Sequence, residues 1–279
     1  MGKTVRLNEQ QIKKLILLEK LSISDEVIFA TDSLIQQLER ELREILQTSN
    51  VKEKYSNTFL FRCFGITFRV EYTVFFTNVE SVQQVQSIDL DNRIIKLTFI
   101  YTNELFDNET FYDGIAHELT HAFQKSKREK SLSDEVYKKV MEVALNKDNE
   151  YSNEVSMLAK GLYFTQQIEQ DAYIHGLYNQ SKEILRNYNH ITNKLINNVV
   201  LDTQFARLPY FINKIKQVVS DNDKAFDQMI ELGIFKKSKR KTSNNYLKRL
   251  YLETMNKTLA RITRKIKNVI KRLEYDFLQ

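Results

Sequence analysis

The scarcity of helix-breaking residues limits what this chain can fold into. Only one proline and six glycines occur in 279 residues, so little interrupts long helices. One block has a different character, because residues 58–102 are rich in β-branched and aromatic side chains and contain the turn-forming Gly65 and Asp91-Asn92. This block predicts a small sheet of three or four strands, mostly antiparallel. The sequence therefore indicates an α+β fold in which one small sheet interrupts a helical chain.

Helices are expected on both sides of this sheet. Apolar residues at three- and four-residue intervals predict helices within 8–48, a helix over 108–125 and a helix over 152–180. We expect residues 1–235 to form one domain that contains the sheet and these helices. Residues 236–279 are expected to form a separate, basic amphipathic C-terminal helix.

Charge is distributed unevenly along the chain. Residues 236–279 contain 14 basic and 3 acidic side chains, whereas the remaining residues contain 28 basic and 33 acidic ones. From Leu247 onward, apolar residues recur at three- and four-residue steps, with lysine and arginine on the other faces. We expect this helix to dock its apolar face onto the acidic body. Binding of nucleic acid or of an anionic surface, and two-stranded coiling, are the alternatives.

The composition also indicates the compartment. Cys63 is the only cysteine, so no intramolecular disulfide can form, which favours a reducing, cytoplasmic environment. We expect Cys63 to be a small buried hydrophobic residue of a strand. The first residues have no apolar signal region, and no later segment is apolar enough to span a membrane.

The segment His117-Glu118-Leu119-Thr120-His121 carries the clearest chemistry in the chain. Residues four positions apart lie one turn apart on the same helix face, so the two histidines can hold one metal ion. Glu118 lies beside them and can act as a general base toward a water at that ion. This is the HExxH arrangement of zinc-dependent peptidases. The alternative is a surface helix with two incidental histidines.

The order of strand, turn and HExxH helix over 94–125 resembles the zincin peptidases. Lys127 occupies the place of the third histidine of metzincins, six residues after His121, which excludes that class. Residues 167–176 resemble the gluzincins instead, in which a glutamate from a later helix completes the site. The resemblance implies that His117, His121 and Glu169 hold Zn²⁺. It also implies a peptidase that hydrolyses peptide bonds through a metal-activated water, with Glu118 as general base.

The helix that contains Glu169 has features for and against this assignment. Thr165, Ala172 and Gly176 form a stripe of small residues that would let it approach the HExxH helix closely. Tyr173 occupies a position at which several gluzincin families have a carboxylate or an amide that orients one histidine. The orienting group must therefore differ here, and Asp171 and Asp113 are candidates.

His175 is the alternative third ligand. His175-Gly176 is similar to the histidine-glycine pair of SprT-like DNA-repair proteases, whose third ligand is a histidine. That resemblance implies a DNA-associated protease. His175, Tyr163 and Tyr173 are candidate donors to the oxyanion, and the strand near Leu97–Tyr101 is expected to offer an edge for an extended peptide substrate.

Residues 3–16 resemble a short N-terminal element of proteins from tailed phages of gut bacteria. The resemblance implies a phage protein located in the host cytoplasm or in the virion. It also raises an alternative from another functional class. In that alternative the chain is a non-enzymatic interaction or virion-associated protein with a structural or vestigial metal site.

Overall fold

The structure, a computed structural model, describes residues 23–48, 54–76, 85–100, 109–126, 134–145, 150–203, 205–234 and 243–278. One small sheet lies within an otherwise helical chain, which confirms the α+β class. The elements before and within the sheet are α1 (Asp25–Thr48), β1 (Lys54–Cys63), β2 (Ile66–Phe75), β3 (Val85–Asp89) and β4 (Ile94–Ile100). The helices that follow are α2 (Glu109–Ser126), α3 (Asp134–Leu145), α4 (Asn153–Thr165), α5 (Gln167–Arg186), α6 (Asn193–Asp202), α7 (Leu208–Asp221), α8 (Asp223–Glu231) and α9 (Asn244–Phe277).

The chain forms two compact units that alternate along the sequence. The first comprises Met1–Arg128, Asp171–Val200 and Asn268–Gln279, and the second comprises Glu129–Gln170 and Leu201–Lys267. The domain division expected after residue 235 stays a prediction. Residues 235–242, 8–22 and 101–108, on which parts of the sequence-based expectations fall, lie outside the described residues.

The sheet has the strand order β1-β2-β4-β3. β1 and β2 form an antiparallel hairpin whose two central residues, Phe64 and Gly65, both have positive φ, at 52° and 75°. Two-residue hairpins favour this conformation because it matches the right-handed twist of the strands. β2 and β4 are parallel, and β3 and β4 are antiparallel. Two of the three pairings are antiparallel, as expected.

The position of β4 corrects one expectation. Leu97 pairs with Tyr72 of β2 on one side and with Gln86 of β3 on the other, so the strand near Leu97 is not an edge. The edge strands among the described residues are β1 and β3. Asp89 stabilises the turn from β3 to β4, because its carboxylate accepts hydrogen bonds from the Asp91 and Asn92 N–H groups at 3.1 and 2.9 Å. This turn allows β3 to pair with β4 on the side of β4 that faces away from β2.

The core of the first unit joins the sheet to α1 and α2. Buried residues alternate along β2, as the two-residue period of a strand requires. Leu34, Leu38 and Leu42 of α1 and Ile115 and Leu119 of α2 belong to the same hydrophobic cluster. The cluster also contains Cys63, whose buried position raises the pKa of its thiol to about 12. This packing holds the motif-bearing helix α2 against the sheet.

The helix expected over 152–180 is two helices, which corrects the sequence-based boundary. Gln166 between α4 and α5 has the extended conformation, with φ −69° and ψ 124°. Polar side chains satisfy carbonyls at this break: Thr165 Oγ1 donates to Leu162 O at 2.6 Å, and Gln170 Nε2 donates to Phe164 O at 2.7 Å. Glu169 therefore lies in the first turn of a new helix. Among the described residues, no helix is both long and apolar enough to cross a membrane.

Candidate metal centre

α2 brings the two histidines of the motif to one point. The helix has an uninterrupted i to i+4 geometry here, and the ring centroids of His117 and His121 lie 4.8 Å apart. Their Nε2 atoms are separated by 3.1 Å. Two ligands of a tetrahedral zinc ion lie roughly 3.4 Å apart, from bond lengths of about 2.0–2.1 Å. The imidazole pair therefore fits a shared metal ion.

Glu169 joins the two histidines. One potential ligand atom from each of His117, His121 and Glu169 lies within 4.8 Å of the other two. Glu169 lies in the first turn of α5. Its side chain is buried, with 2% of the residue exposed. A buried carboxylate is costly unless it is paired or binds a metal, and two imidazoles with one carboxylate are ligands that zinc prefers.

Tyr163 holds the Glu169 carboxylate. Its hydroxyl donates a short hydrogen bond to Glu169 Oε2. The two residues are six positions apart, and the contact depends on the break at Gln166, because a continuous helix would not place positions i and i+6 on one face. The sequence singled out Tyr163 as a candidate oxyanion donor but contained no signal for this contact.

Gln124 orients His121. Its side-chain Oε1 lies 3.2 Å from His121 Nδ1. Because a carbonyl oxygen only accepts, His121 donates from Nδ1, which leaves the Nε2 lone pair for a metal. Gln124 is three residues after His121 on the same helix face, so its spacing in the sequence could have identified it.

Tyr173 contacts the other histidine. Its ring meets that of His117 edge-on, with centroids 4.5 Å apart and an interplanar angle of 69°. Tyr173 thus lies beside a candidate ligand and contacts it through its aromatic ring. The suggestion that Asp171 or Asp113 orients a histidine stays a prediction.

His175 has a different role in the structure. It is 3% exposed, its Nδ1 donates to Asp171 O, and its Nε2 accepts from the Ser24 N–H, each at 2.8 Å. Ser24 immediately precedes α1, whose first N–H groups have no partner within the helix. Both ring nitrogens of His175 are therefore engaged, Nδ1 within α5 and Nε2 in a bond that holds the start of α1 to α5.

Glu118 lies against the edge strand of the sheet. Its Oε2 accepts a hydrogen bond from the Ile88 N–H of β3 at 3.2 Å. Gln86, two residues earlier on the same strand, packs on α2 at Gly114. If Gly114 had a side chain, its Cβ would lie 2.6 Å from Gln86 Oε1. Gln86 Nε2 is buried without a hydrogen-bond partner in the described part of the chain. Glu118 thus lies between the α2 face that carries His117 and His121 and the side of β3 that faces away from β4.

Gly176 of α5 packs closely against Asp113 of α2. A Cβ on Gly176 would overlap the Asp113 side chain and lie 3.0 Å from its backbone oxygen. Burial raises the pKa of the Asp113 carboxyl to about 6. Ala172 and Gly176 are both buried on α5, in agreement with the expected stripe of small residues, whereas Thr165 belongs to α4.

Comparison with known proteins does not identify a relative of this chain. No protein-family model matches the chain, and no significant match is found among the curated proteins or the solved structures. The functional argument therefore depends on the geometry of the site.

Proposed function

We propose that this chain is a zinc-dependent peptidase with a zincin-like fold. The observation that carries the proposal is the convergence of His117, His121 and Glu169, with Glu118 next to the first histidine on α2. The ligand set matches the two histidines and one glutamate of catalytic zinc sites in peptidases. Three protein ligands leave one position for water or substrate, which a structural site with four ligands would not.

Each residue has a defined task in this proposal. Bound zinc supplies a Lewis acid that polarises the scissile carbonyl and makes a water molecule more acidic. His117, His121 and Glu169 hold the ion. The carboxylate of Glu118 accepts a proton from the attacking water and passes it to the nitrogen of the leaving amine. Gln124 and Tyr163 keep His121 and Glu169 in their liganding orientations, through the contacts described above.

The substrate would lie along β3 rather than along β4. Ile88 directs its N–H away from β4, and in an antiparallel pair the residue two positions away directs its backbone groups to the same side. The main-chain groups of Gln86 and the carbonyl of Ile88 therefore face the side to which an extended peptide can add as a further strand, while the Ile88 N–H already donates to Glu118. This surface is adjacent to Glu118, as peptide cleavage requires.

Metal analysis of the purified protein tests the first half of the proposal. The wild type should bind about one zinc ion per chain. His117→Ala, His121→Ala and Glu169→Gln should each lose it. Absence of zinc from the wild type would mean that the histidines are incidental. Loss of zinc from His175→Ala, with retention by Glu169→Gln, would favour the SprT-like arrangement over the gluzincin-like one.

Glu118→Gln tests the second half. The variant should keep its zinc and lose peptide cleavage by about 10²–10⁴-fold, the usual contribution of a general base. Cleavage is measured on a library of unstructured peptides by mass spectrometry. If wild type and variant both bind zinc and neither cleaves any peptide, the chain is a non-enzymatic protein with a structural or vestigial metal site.

A further inference from the structure

The C-terminal helix α9 carries a continuous basic surface. We call five side chains on one side of this helix the basic stripe: Lys257, Arg261, Arg264, Lys267 and Lys271. At 3.6 residues per turn, they fall within an arc of about 120°. No acidic residue occurs between Glu253 and Glu274, so nothing in this part of the helix offsets the positive charge.

The stripe takes no part in the ion pairs that are formed among the described residues. Four of the five side chains are exposed and Arg261 is half-buried, and none of the five forms an ion pair with a described residue. Other basic residues of the same helix behave differently: Lys248 pairs with Asp223, and Arg272 pairs with Asp25 and Asp276. Five adjacent cations that have no carboxylate partner in the described part of the chain repel one another, which favours binding of an anionic partner.

The opposite side of α9 is already covered. Met255, Ile262, Val269 and Leu273 are fully buried, at 0% exposure each. Over 251–277 no large apolar side chain is among the exposed ones. A helix that lies in a lipid interface needs an exposed apolar face to insert, and α9 has none along the part that carries the stripe, since its exposed Tyr246 and Leu250 precede it. The partner that fits is therefore one recognised by charge alone.

The length of the stripe matches a polyphosphate backbone. Lys257 and Lys271 are fourteen residues apart, which is about 21 Å along a helix. One strand of duplex DNA carries a phosphate every 3.4 Å of axis, so this length spans about six phosphates. No aromatic side chain is exposed over 251–277, so stacking on unpaired bases is not favoured.

We propose that the basic stripe binds the phosphate backbone of duplex nucleic acid without sequence preference. Lysine and arginine contacts to phosphates position a protein on the duplex and carry no sequence information. This activity is independent of the proposed peptidase. If both are present, the duplex would concentrate the peptidase near nucleic-acid-bound proteins.

The test is binding of a labelled mixed-sequence DNA duplex to the full chain, measured by fluorescence anisotropy over a range of salt concentrations. Five phosphate contacts predict a slope of about −4.5 in log affinity against log salt, equivalent to roughly 500-fold between 200 and 50 mM salt. A variant with all five stripe residues changed to Gln should lose this binding. Its folding is checked by circular dichroism and its zinc content by metal analysis.

The control variant removes the same charge elsewhere. It changes five exposed basic residues on other elements to Gln: Arg43, Arg62, Lys160, Lys214 and Lys224. The control should keep wild-type affinity, and an equal loss would mean that net charge alone drives binding. If the stripe variant does not fold, each single substitution should lower the slope by about 0.9. Tighter binding to phosphatidylserine vesicles that duplex DNA cannot displace, or a slope near zero, would overturn the proposal.

Discussion

Tyr163 and Gln124 each form a hydrogen bond with a candidate metal ligand. Tyr163 donates to Glu169 Oε2, and Gln124 Oε1 accepts from His121 Nδ1. Groups of this kind fix the orientation of a ligand and tune its basicity, and their loss usually costs about 10–100-fold in metal affinity. Residues that are not candidate ligands themselves therefore belong to the candidate site.

Tyr163→Phe should weaken zinc binding by about 10-fold or more, because the Glu169 carboxylate loses its donor. The affinity is measured by competition with a chromophoric chelator. Tyr151→Phe is the matched control, since Tyr151 also donates to a glutamate, Glu142, but at an exposed position. Equal affinities of the two variants would show that the Tyr163 bond does not position the ligand.

Asp113 should make stability depend on pH. Burial raises the pKa of its carboxyl from 3.8 to about 6, so the folded state holds the proton over a range in which the unfolded chain has released it. Folding stability therefore falls as the pH rises from about 4 to 6, by about 3 kcal/mol from this group.

Asp113→Asn should remove this part of the pH dependence. The test is urea denaturation of chelator-treated protein at several pH values between about 4 and 8. The difference in stability between variant and wild type should grow between about pH 4 and 6 and stay constant above that range. Parallel curves throughout would contradict the buried state of the carboxyl.

At the scale of elements, two glycines set how closely α2 meets its neighbours. The atoms nearest to a Cβ on Gly176 of α5 include the Asp113 backbone oxygen, whereas those nearest to a Cβ on Gly114 of α2 all belong to the Gln86 side chain. A backbone atom cannot move without shifting its helix, whereas a flexible side chain can rotate. The two positions should therefore respond differently to the same substitution.

Gly176→Ala should destabilise the fold by about 1–3 kcal/mol, because overpacking forces α5 away from α2. Gly114→Ala should change stability by less than about 1 kcal/mol, since the helix propensity gained offsets the displacement of Gln86. Urea unfolding midpoints compare the two variants directly. A Gly176→Ala protein as stable as Gly114→Ala would mean that the helices can separate without cost.

Elements were predictable to different extents. The helices around His117 and over the C-terminal region have strong local periodicity, and the structure places them at 109–126 and 244–277. The strands were recognisable from their β-branched and aromatic residues, but their order was not. β4 lies inside the sheet because the Asp89 turn folds β3 over it, and a strand of alternating residues contains no information about which neighbours it will have.

At the scale of the whole molecule, α9 contributes residues to both compact units and forms hydrogen bonds within each of them. Within the second unit, the Tyr251 hydroxyl donates to Leu158 O at 2.7 Å, and within the first unit the Tyr178 hydroxyl donates to Asp276 at 2.6 Å. This agrees with docking of the apolar face, the reading that the sequence favoured. Removal of residues 236–279 would expose buried surface, so substitutions on the exposed stripe are the appropriate test of nucleic-acid binding.

The sequence alone determined the features that depend on the local helical period. It predicted that His117 and His121 share a helix face, that Glu118 stands beside them, and that α9 has one apolar and one basic side, because each follows from the 3.6-residue period of a helix. The tertiary structure decided what depends on long-range packing. It placed Glu169 near the two histidines and the Tyr163 hydroxyl on Glu169. It also paired His175 with Ser24 and placed β4 inside the sheet, with β3 as an edge strand. These contacts join residues far apart in the chain or across a break, and only the folded backbone sets their distances.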